Sequence, residues 1–229
     1  MALADYADVL PAGTIDAWPK IAGVLPAGSI LMGGTGLAVW LRHRLSEDLD
    51  FFVPVRLEAR SITTALSDLG AFHCDAASDR MIRGTFEDVM VDIVSDADEF
   101  RLGPAMSVGS LLVGSLQDVT AAKYRAIIDR KQLRDFVDVM RIETHGGITI
   151  EQGILLYLRR HAIDFDLEAV RGFLRHLTDF RYLHDDPAMT AAFGPAIRDT
   201  VTSFFRNRHA DIVAAFSQLL ADDDPSPAT

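Results

Sequence analysis

A single segment, ILMGGTGLAVWLRHRLSEDLDFF, constrains the fold of this chain more than any other. It holds a short apolar run, two glycines, a run that is apolar on every side, and a compact apolar run with two aspartates. The first and last runs have the length of strands, whereas the middle one predicts a buried helix. The three runs are Ser29–Met32, Leu37–Leu41 and Leu49–Val53, and the first and last extend one residue beyond the segment. This order predicts a sheet layer with a helix packed on it.

The remainder of the chain changes character near residue 117. Before that point the patterns predict one or two short helices over 1–25 and a helix over 57–69. They predict strands over 72–76, 81–86, 89–94 and in the segment SVGSLLVGS. After it they predict only helices, over 117–130, 133–145, 149–161, 166–178, 188–208 and 210–220. We therefore expect an α+β domain over residues 1–115, a helical domain over residues 116–221, and a disordered acidic tail over residues 222–229.

The net charge of -11 argues against a general nucleic-acid binder, because phosphate contacts require lysine and arginine. The charge is unevenly distributed, however. Residues 1–100 hold 7 basic and 16 acidic residues, whereas residues 101–221 hold 15 and 14. The second half can therefore still present a local anion-binding surface. Its arginines include Arg159, Arg160, Arg171, Arg175, Arg198, Arg206 and Arg208.

The sequence also predicts a cellular location. No apolar run reaches the length of a membrane span, and the first residues, MALADYADVL, lack the basic and apolar regions of a signal peptide. The one cysteine, Cys74, can form no internal disulfide. These features predict a cytoplasmic protein without a membrane partner.

Gly33 and Gly34 follow a predicted strand and precede a helix, as in many phosphate-binding turns. Glycines allow a close approach of the backbone, and a helix N-terminus offers N–H groups and a positive dipole end to an anion. Two common nucleotide motifs are absent, because no Gly-Lys-Ser/Thr follows and Val39 occupies the last glycine position of GxGxxG. The turn alone is therefore weak evidence for a phosphate site.

Asp48 and Asp50 strengthen that evidence. Residues i and i+2 of a strand point to the same face, so the two carboxylates lie side by side while Leu49 and Phe51 face the apolar side. Two adjacent carboxylates repel each other unless a cation neutralises them, and Mg²⁺ prefers oxygen ligands. The alternative is that both acids only end a strand in solvent.

The combined pattern resembles a known enzyme signature. Met32-Gly33-Gly34 is followed by thirteen residues and then Asp48-Leu49-Asp50-Phe51, which is similar to the signature of the nucleotidyltransferase superfamily related to DNA polymerase β. The longer segment GGTGLAVWLRHRLSEDLDFF resembles more closely the AbiEii/AbiGii toxin family, which belongs to that superfamily. The resemblance implies a polymerase β-like domain with a mixed sheet flanked by helices, followed by a helical domain. It also implies Mg²⁺-dependent transfer of a nucleotide from an NTP to an acceptor hydroxyl.

The resemblance assigns roles to residues near the signature. Asp48 and Asp50 would hold the metal, and the loop Gly33-Gly34-Thr35 would receive the triphosphate. Arg44 and Ser46 match the family segment and would support the site without contacting the reacting groups. Asp92, within the apolar strand VMVDIVS, would complete the metal site and deprotonate the attacking hydroxyl. The alternative for Asp92 is an edge-strand residue that faces water.

The helical half holds a second candidate group. Lys123 lies in the apolar stripe of its helix, where a charge is costly unless an anion meets it or the side chain extends to solvent. Asp135 and Asp138 share one flank of the next helix. The family resemblance implies that Lys123 contacts the nucleotide phosphates and that Asp138, or else Asp135, orients it. Arg130 and Arg134 are expected to pair with these acids.

The resemblance also implies partners. Members of the family act as toxins of toxin–antitoxin pairs, and some add nucleotides to the 3′ end of tRNA, so an RNA acceptor and a cognate antitoxin protein are expected. Two alternatives remain at this point. One is a nucleotidyltransferase that modifies small molecules such as aminoglycosides, and the other is a non-catalytic module that binds nucleotides or proteins.

Overall fold

The computed structural model describes residues 2–222, so the predicted disordered tail lies, except for Asp222, outside the described residues. The chain divides into two compact units, the first ending at Val119 and the second beginning at Thr120. We call them unit 1 and unit 2. The boundary falls inside one helix, α4, which spans Leu116–Arg130.

Unit 1 contains a seven-stranded sheet and three helices that precede α4. The strands, in chain order, are β1 (Ile30–Leu31), β2 (Leu49–Val53), β3 (Phe72–Ala77), β4 (Met81–Phe86), β5 (Val89–Ser95), β6 (Met106–Val108) and β7 (Leu111–Val113). The helices are α1 (Ala12–Ala22), α2 (Gly33–Leu41) and α3 (Ala59–Leu69), preceded by a 3₁₀ turn over Leu3–Tyr6. The predicted strand–glycine turn–helix–strand order is confirmed as β1, α2 and β2.

The sheet is mixed, with the strand order β3-β4-β5-β2-β1-β7-β6. The pairs β2–β5 and β1–β7 are parallel, and the other four pairs are antiparallel. The strands β2 and β5 lie at the centre, although 35 residues separate Val53 from Val89 in the chain. The mixed sheet expected from the sequence is therefore confirmed.

The two faces of the central strands differ in burial. Leu49, Phe51 and Val53 of β2 are almost fully buried in the apolar core, and so are the alternate residues of β5. Asp50 and Asp92 lie on the opposite face and are half-buried. Because side chains of a strand alternate between faces, the apolar pattern that builds the core also directs these two acids to the open face.

Unit 2 consists of helices around its own apolar core. It begins within α4, and the helices that follow are α5 (Leu133–Arg141), α6 (Ile150–Arg160), α7 (Leu167–Thr178), α8 (Pro187–Phe193) and α9 (Ile197–Asp222). A single π turn, Ile142–Gly146, extends α5. A predominantly helical second half after a strand-rich first half confirms the α+β class predicted from the sequence.

One predicted helix is wrong in its boundaries. The pattern over 188–208 indicated a single helix, but the structure has α8, then a break, then α9. Gly194 has a φ of +88° and caps α8, and Pro195 follows it. Neither residue continues a helix well. The helix α9 then runs without interruption through residues 209–210, where a break was expected.

Within residues 2–222, none of the helices combines the length and the apolar character that crossing a membrane requires.

Candidate functional site

The N-terminus of α2 lies directly against the carboxylate of Asp50. The backbone N–H of Met32 donates to the carbonyl oxygen of Asp50 at 2.8 Å and ties the start of α2 to β2. Gly33 has a φ of +59°, and a Cβ at this position would lie 2.6 Å from Cγ of Asp50. Only glycine permits both the positive φ and this approach. The Asp50 carboxylate is thereby held at the positive end of the helix dipole.

Gly34 makes room for Arg44 in the same way. A Cβ on Gly34 would lie 2.8 Å from Nη2 of Arg44 and 3.0 Å from Oγ of Ser46. The guanidinium therefore lies beside the first turn of α2, whose N–H groups have no acceptor within the helix. Such N–H groups and a guanidinium stabilise an anion when they face it together.

Thr35 holds the loop that carries Asp48. Its side chain is fully buried, with Oγ1 at 2.9 Å from Oγ of Ser46 and donating to the carbonyl oxygen of Asp48. The carbonyl of the intervening Glu47 accepts a hydrogen bond from Oγ1 of Thr14 at 2.8 Å. The Thr35 hydroxyl is thus turned into unit 1, so a phosphate contact at this position would use its backbone N–H.

Replacement of Thr35 with valine is expected to destabilise unit 1 by about 1–3 kcal/mol, because the partly buried carbonyl of Asp48 and the buried Ser46 hydroxyl lose a partner. Denaturant unfolding measures the change. The matched Thr64→Val variant, at an exposed position of α3, should change stability by less than about 0.5 kcal/mol. Equal stability of the two variants would contradict a structural role for the Thr35 hydroxyl.

The three acids predicted as metal ligands come from two paired strands. Asp48 directly precedes β2, Asp50 lies within it, and the register of the parallel pair sets Asp50 opposite Asp92 of β5. The strand β5 lies between β4 and β2. The alternative that Asp92 is an edge-strand residue is therefore wrong.

Arg83, which the sequence analysis did not single out, pairs with Asp92. Its Nε donates to Oδ1 at 2.8 Å and its Nη2 to Oδ2 at 2.6 Å. The residue lies on β4, opposite Asp92 in the antiparallel register. The alternation in MIRGTF places Arg83 on the open face of its strand, but only the strand pairing shows which acid it meets.

The structure does not assemble the three acids into one metal-binding group. Within residues 2–222, no group of three or more His, Cys, Asp and Glu side chains is arranged to hold a metal ion. Both carboxylate oxygens of Asp92 are engaged by Arg83. Asp50 still offers the hard oxygen donors that Mg²⁺ prefers, beside a helix N-terminus that suits phosphate oxygens, and Asp48 lies two residues before it in the chain.

In unit 2, Lys123 forms a buried charge cluster with Asp135 and Asp138. Nζ of Lys123 lies 2.7 Å from Oδ2 of Asp138 and 3.4 Å from Oδ1 of Asp135, and all three side chains are at most 4% exposed. Arg130 makes two further hydrogen bonds to Asp135, each of 2.8 Å. The two basic groups balance the two acids, which is what makes burial of the cluster tolerable.

The two acids of this cluster differ in their contacts. Asp138 makes the shorter contact with Lys123, whereas Asp135 is shared with Arg130. The predicted pairing of Arg130 with an acid of the cluster is confirmed. The predicted pairing of Arg134 with an acid of the cluster is wrong, because its Nε donates to Asp186 at 2.6 Å.

Tyr124, the neighbour of Lys123 on α4, does not supply a phenolate. Its hydroxyl donates to the carbonyl oxygen of Ile150 at 3.2 Å. Burial raises the pKa of Tyr124 well above its ordinary value, and the nearby Glu143 and Glu151 carboxylates raise it further. Tyr124 therefore stays protonated and serves the packing of unit 2.

Several arginines expected to form an anion-binding surface have internal partners. Arg160 is only 1% exposed, Arg208 bonds to Glu143, Glu151 and Asp211, and Arg198 bonds to Asp185. The other four arginines of that group are exposed, namely Arg159, Arg171, Arg175 and Arg206.

Comparisons with known proteins give one match in sequence and several in structure. The profile of the family described as "Nucleotidyl transferase AbiEii toxin, Type IV TA system" matches residues 27–174. No curated protein sequence matches the chain significantly. The structure of JHP933 from Helicobacter pylori is 17% identical, with a TM-score of 0.43, and the alignment covers 93% of this chain and 97% of that one. MenT4, the nucleotidyltransferase toxin Rv2826c from Mycobacterium tuberculosis H37Rv, is 15% identical, with a TM-score of 0.48, and the alignment covers 99% and 96%.

The profile match includes the glycine turn, the three acids on the sheet and the Lys123 cluster. It also extends over more than half of the 229 residues. The chain therefore belongs to the AbiEii family of nucleotidyltransferase toxins.

Proposed function

We propose that this nucleotidyltransferase is Mg²⁺-dependent, transfers a nucleotide from an NTP to a hydroxyl at the 3′ end of tRNA, acts in the cytoplasm and is neutralised by a cognate antitoxin protein. The observation that carries the proposal is the contact between the start of α2 and Asp50. It puts N–H groups suited to a triphosphate beside a carboxylate suited to the metal that accompanies a triphosphate.

Each residue of unit 1 then has a role. The first-turn N–H groups at Gly33 and Gly34 would receive the triphosphate, while Asp48 and Asp50 would hold Mg²⁺. A divalent cation bound there would neutralise charge on the phosphate oxygens. The acceptor hydroxyl attacks the α-phosphorus, the bond to pyrophosphate breaks, and the hydroxyl proton passes to Asp92. Asp92 would also complete the metal site once a nucleotide is bound.

Lys123 is a proposed contact of a nucleotide phosphate, as the family resemblance implies. Its ammonium group has three donor positions, of which the contacts with Asp138 and Asp135 account for two. Asp138, the nearer acid, would fix the direction of the ammonium group. Arg44, beside the first turn of α2, would stabilise the bound triphosphate without contacting the reacting atoms.

An RNA acceptor is supported by charge in unit 2. Residues 101–221 carry 15 basic and 14 acidic residues on a chain of net charge -11, and four of the seven arginines named for an anion-binding surface are exposed. These arginines can contact phosphates, which is the dominant source of RNA affinity. The 3′ end of tRNA is proposed because some members of the family use it.

The deciding experiment incubates the purified protein with each α-labelled NTP, Mg²⁺ and total cellular RNA. We expect label on tRNA with wild type, and a loss of about 10³-fold or more with Asp50→Asn, because the metal site loses a charged ligand. The exposed Asp79→Asn is the matched control and should transfer normally. Chelation with EDTA should stop the reaction.

Other results would revise the proposal in different ways. Label on an added aminoglycoside, with none on RNA, would replace the acceptor class and keep the chemistry. No label on any acceptor, with wild type and Asp50→Asn alike, would remove the catalytic proposal altogether. The toxin role is measured separately by growth, since expression of wild type should arrest cells and Asp48→Ala should not.

A further inference from the structure

Arg83, Asp92 and Asp50 form a row across three neighbouring strands. The register sets Arg83 of β4 opposite Asp92, and Asp92 of β5 opposite Asp50 of β2. Side chains opposite each other on one face of a sheet are near neighbours. The guanidinium therefore lies on the open face that carries the proposed metal site.

The pair between Arg83 and Asp92 engages both oxygens of the carboxylate. The two hydrogen bonds, of 2.8 and 2.6 Å, have the bidentate geometry that makes an arginine–carboxylate pair strong. The Asp92 side chain is 24% exposed, so solvent screens the pair only in part. A metal ion that coordinates Asp92 has to compete with this guanidinium.

We propose that Arg83 is a positioning residue that holds Asp92 out of the metal site until a nucleotide binds, so that the nucleotide-free enzyme takes one divalent cation on Asp48 and Asp50. This inference rests on the proposed function, because it assumes that those two acids bind metal. It adds Arg83 of β4 to the site. It also makes metal binding by Asp92 dependent on whether Arg83 is bound to that carboxylate.

The test measures metal binding in the absence of nucleotide, with free Mn²⁺ counted by electron paramagnetic resonance. Wild type should bind one ion, and Asp92→Asn should weaken its binding far less than Asp50→Asn does, because it changes only the local charge and removes no ligand of the ion. Arg83→Met should bind Mn²⁺ at least about tenfold more tightly, because Asp92 becomes free to coordinate. In the double variant Arg83→Met/Asp92→Asn the gain should disappear.

The matched control is Arg80→Met, which removes the same charge from an exposed arginine that pairs only loosely with Asp98, at 3.7 Å. It corrects for the general effect of one fewer positive charge. The proposal is overturned if Arg83→Met binds Mn²⁺ no more tightly than Arg80→Met. It is also overturned if Asp92→Asn weakens binding as much as Asp50→Asn does.

Failure of the proposed function gives a different result. If Asp50→Asn binds Mn²⁺ like wild type, the metal site itself is wrong. If Asp50→Asn loses the ion while Arg83→Met matches Arg80→Met, only the role of Arg83 is wrong. Thermal melts of every variant establish that the changes in affinity occur in folded protein.

Discussion

Nucleotide transfer by a Gly33→Ala variant is expected to fall by about 10²-fold or more. The added Cβ would overlap the Asp50 carboxylate, whose Cγ would be only 2.6 Å away, so the carboxylate must move. A displacement of about 1 Å at a reacting centre costs roughly 10²-fold in rate. The positive φ at this position adds about 1–2 kcal/mol of destabilisation. Initial rates with saturating NTP and RNA, together with unfolding curves, measure both effects.

A matched variant separates the two causes. Gly109 has the same φ of +59°, but a Cβ there would meet nothing within 4 Å. Gly109→Ala should therefore share the cost of the positive φ and keep its activity. If both variants lost transfer equally, backbone strain alone would explain the loss and the contact with Asp50 would carry no catalytic meaning.

The second large effect is expected at Lys123. A Lys123→Met variant should lose about 3–5 kcal/mol of stability, because it leaves the buried carboxylate of Asp138 without its nearest cation. Urea unfolding measures the loss. Removing an exposed cation of the same helix, in Arg125→Met, should cost less than about 0.5 kcal/mol, since its pair with Asp129 is about half exposed.

The double variant Lys123→Met/Asp138→Leu distinguishes stability from function. With both charges gone, stability should return to within about 1–2 kcal/mol of wild type. If Lys123 contacts the nucleotide, the double variant should be folded but unable to transfer nucleotides, because it lacks the lysine. A stable double variant with normal transfer would show that the pair serves only the fold of unit 2.

Much of the candidate site in unit 1 was predictable from the sequence. The glycines, Asp48 and Asp50 lie within one short segment, and their relation depends on local rules: alternation along a strand, and a helix that starts at a glycine turn. The division into a strand-rich half and a helical half was also predictable, because the patterns after residue 117 are all helical. The mixed sheet was implied only by the family resemblance.

Other predictions failed where a partner lies far along the chain. Arg134 was expected to meet an acid of its own helix, but it meets Asp186, 52 residues away.

The helix boundary at Gly194 was missed for a different reason. Gly194-Pro195 is a local signal for the end of a helix, but the apolar pattern continues across it.

Local patterns in the sequence were enough to define the strand–turn–helix–strand segment, its two aspartates, the order of strands and helices, and the resemblance to the AbiEii family. Which acid faces which base was decided by the tertiary structure. The register of β4, β5 and β2 aligns Arg83, Asp92 and Asp50, and helix packing in unit 2 brings Lys123 to Asp138. The physical reason is that a strand pattern specifies which face a side chain occupies, whereas its neighbours on that face depend on pairing between distant segments.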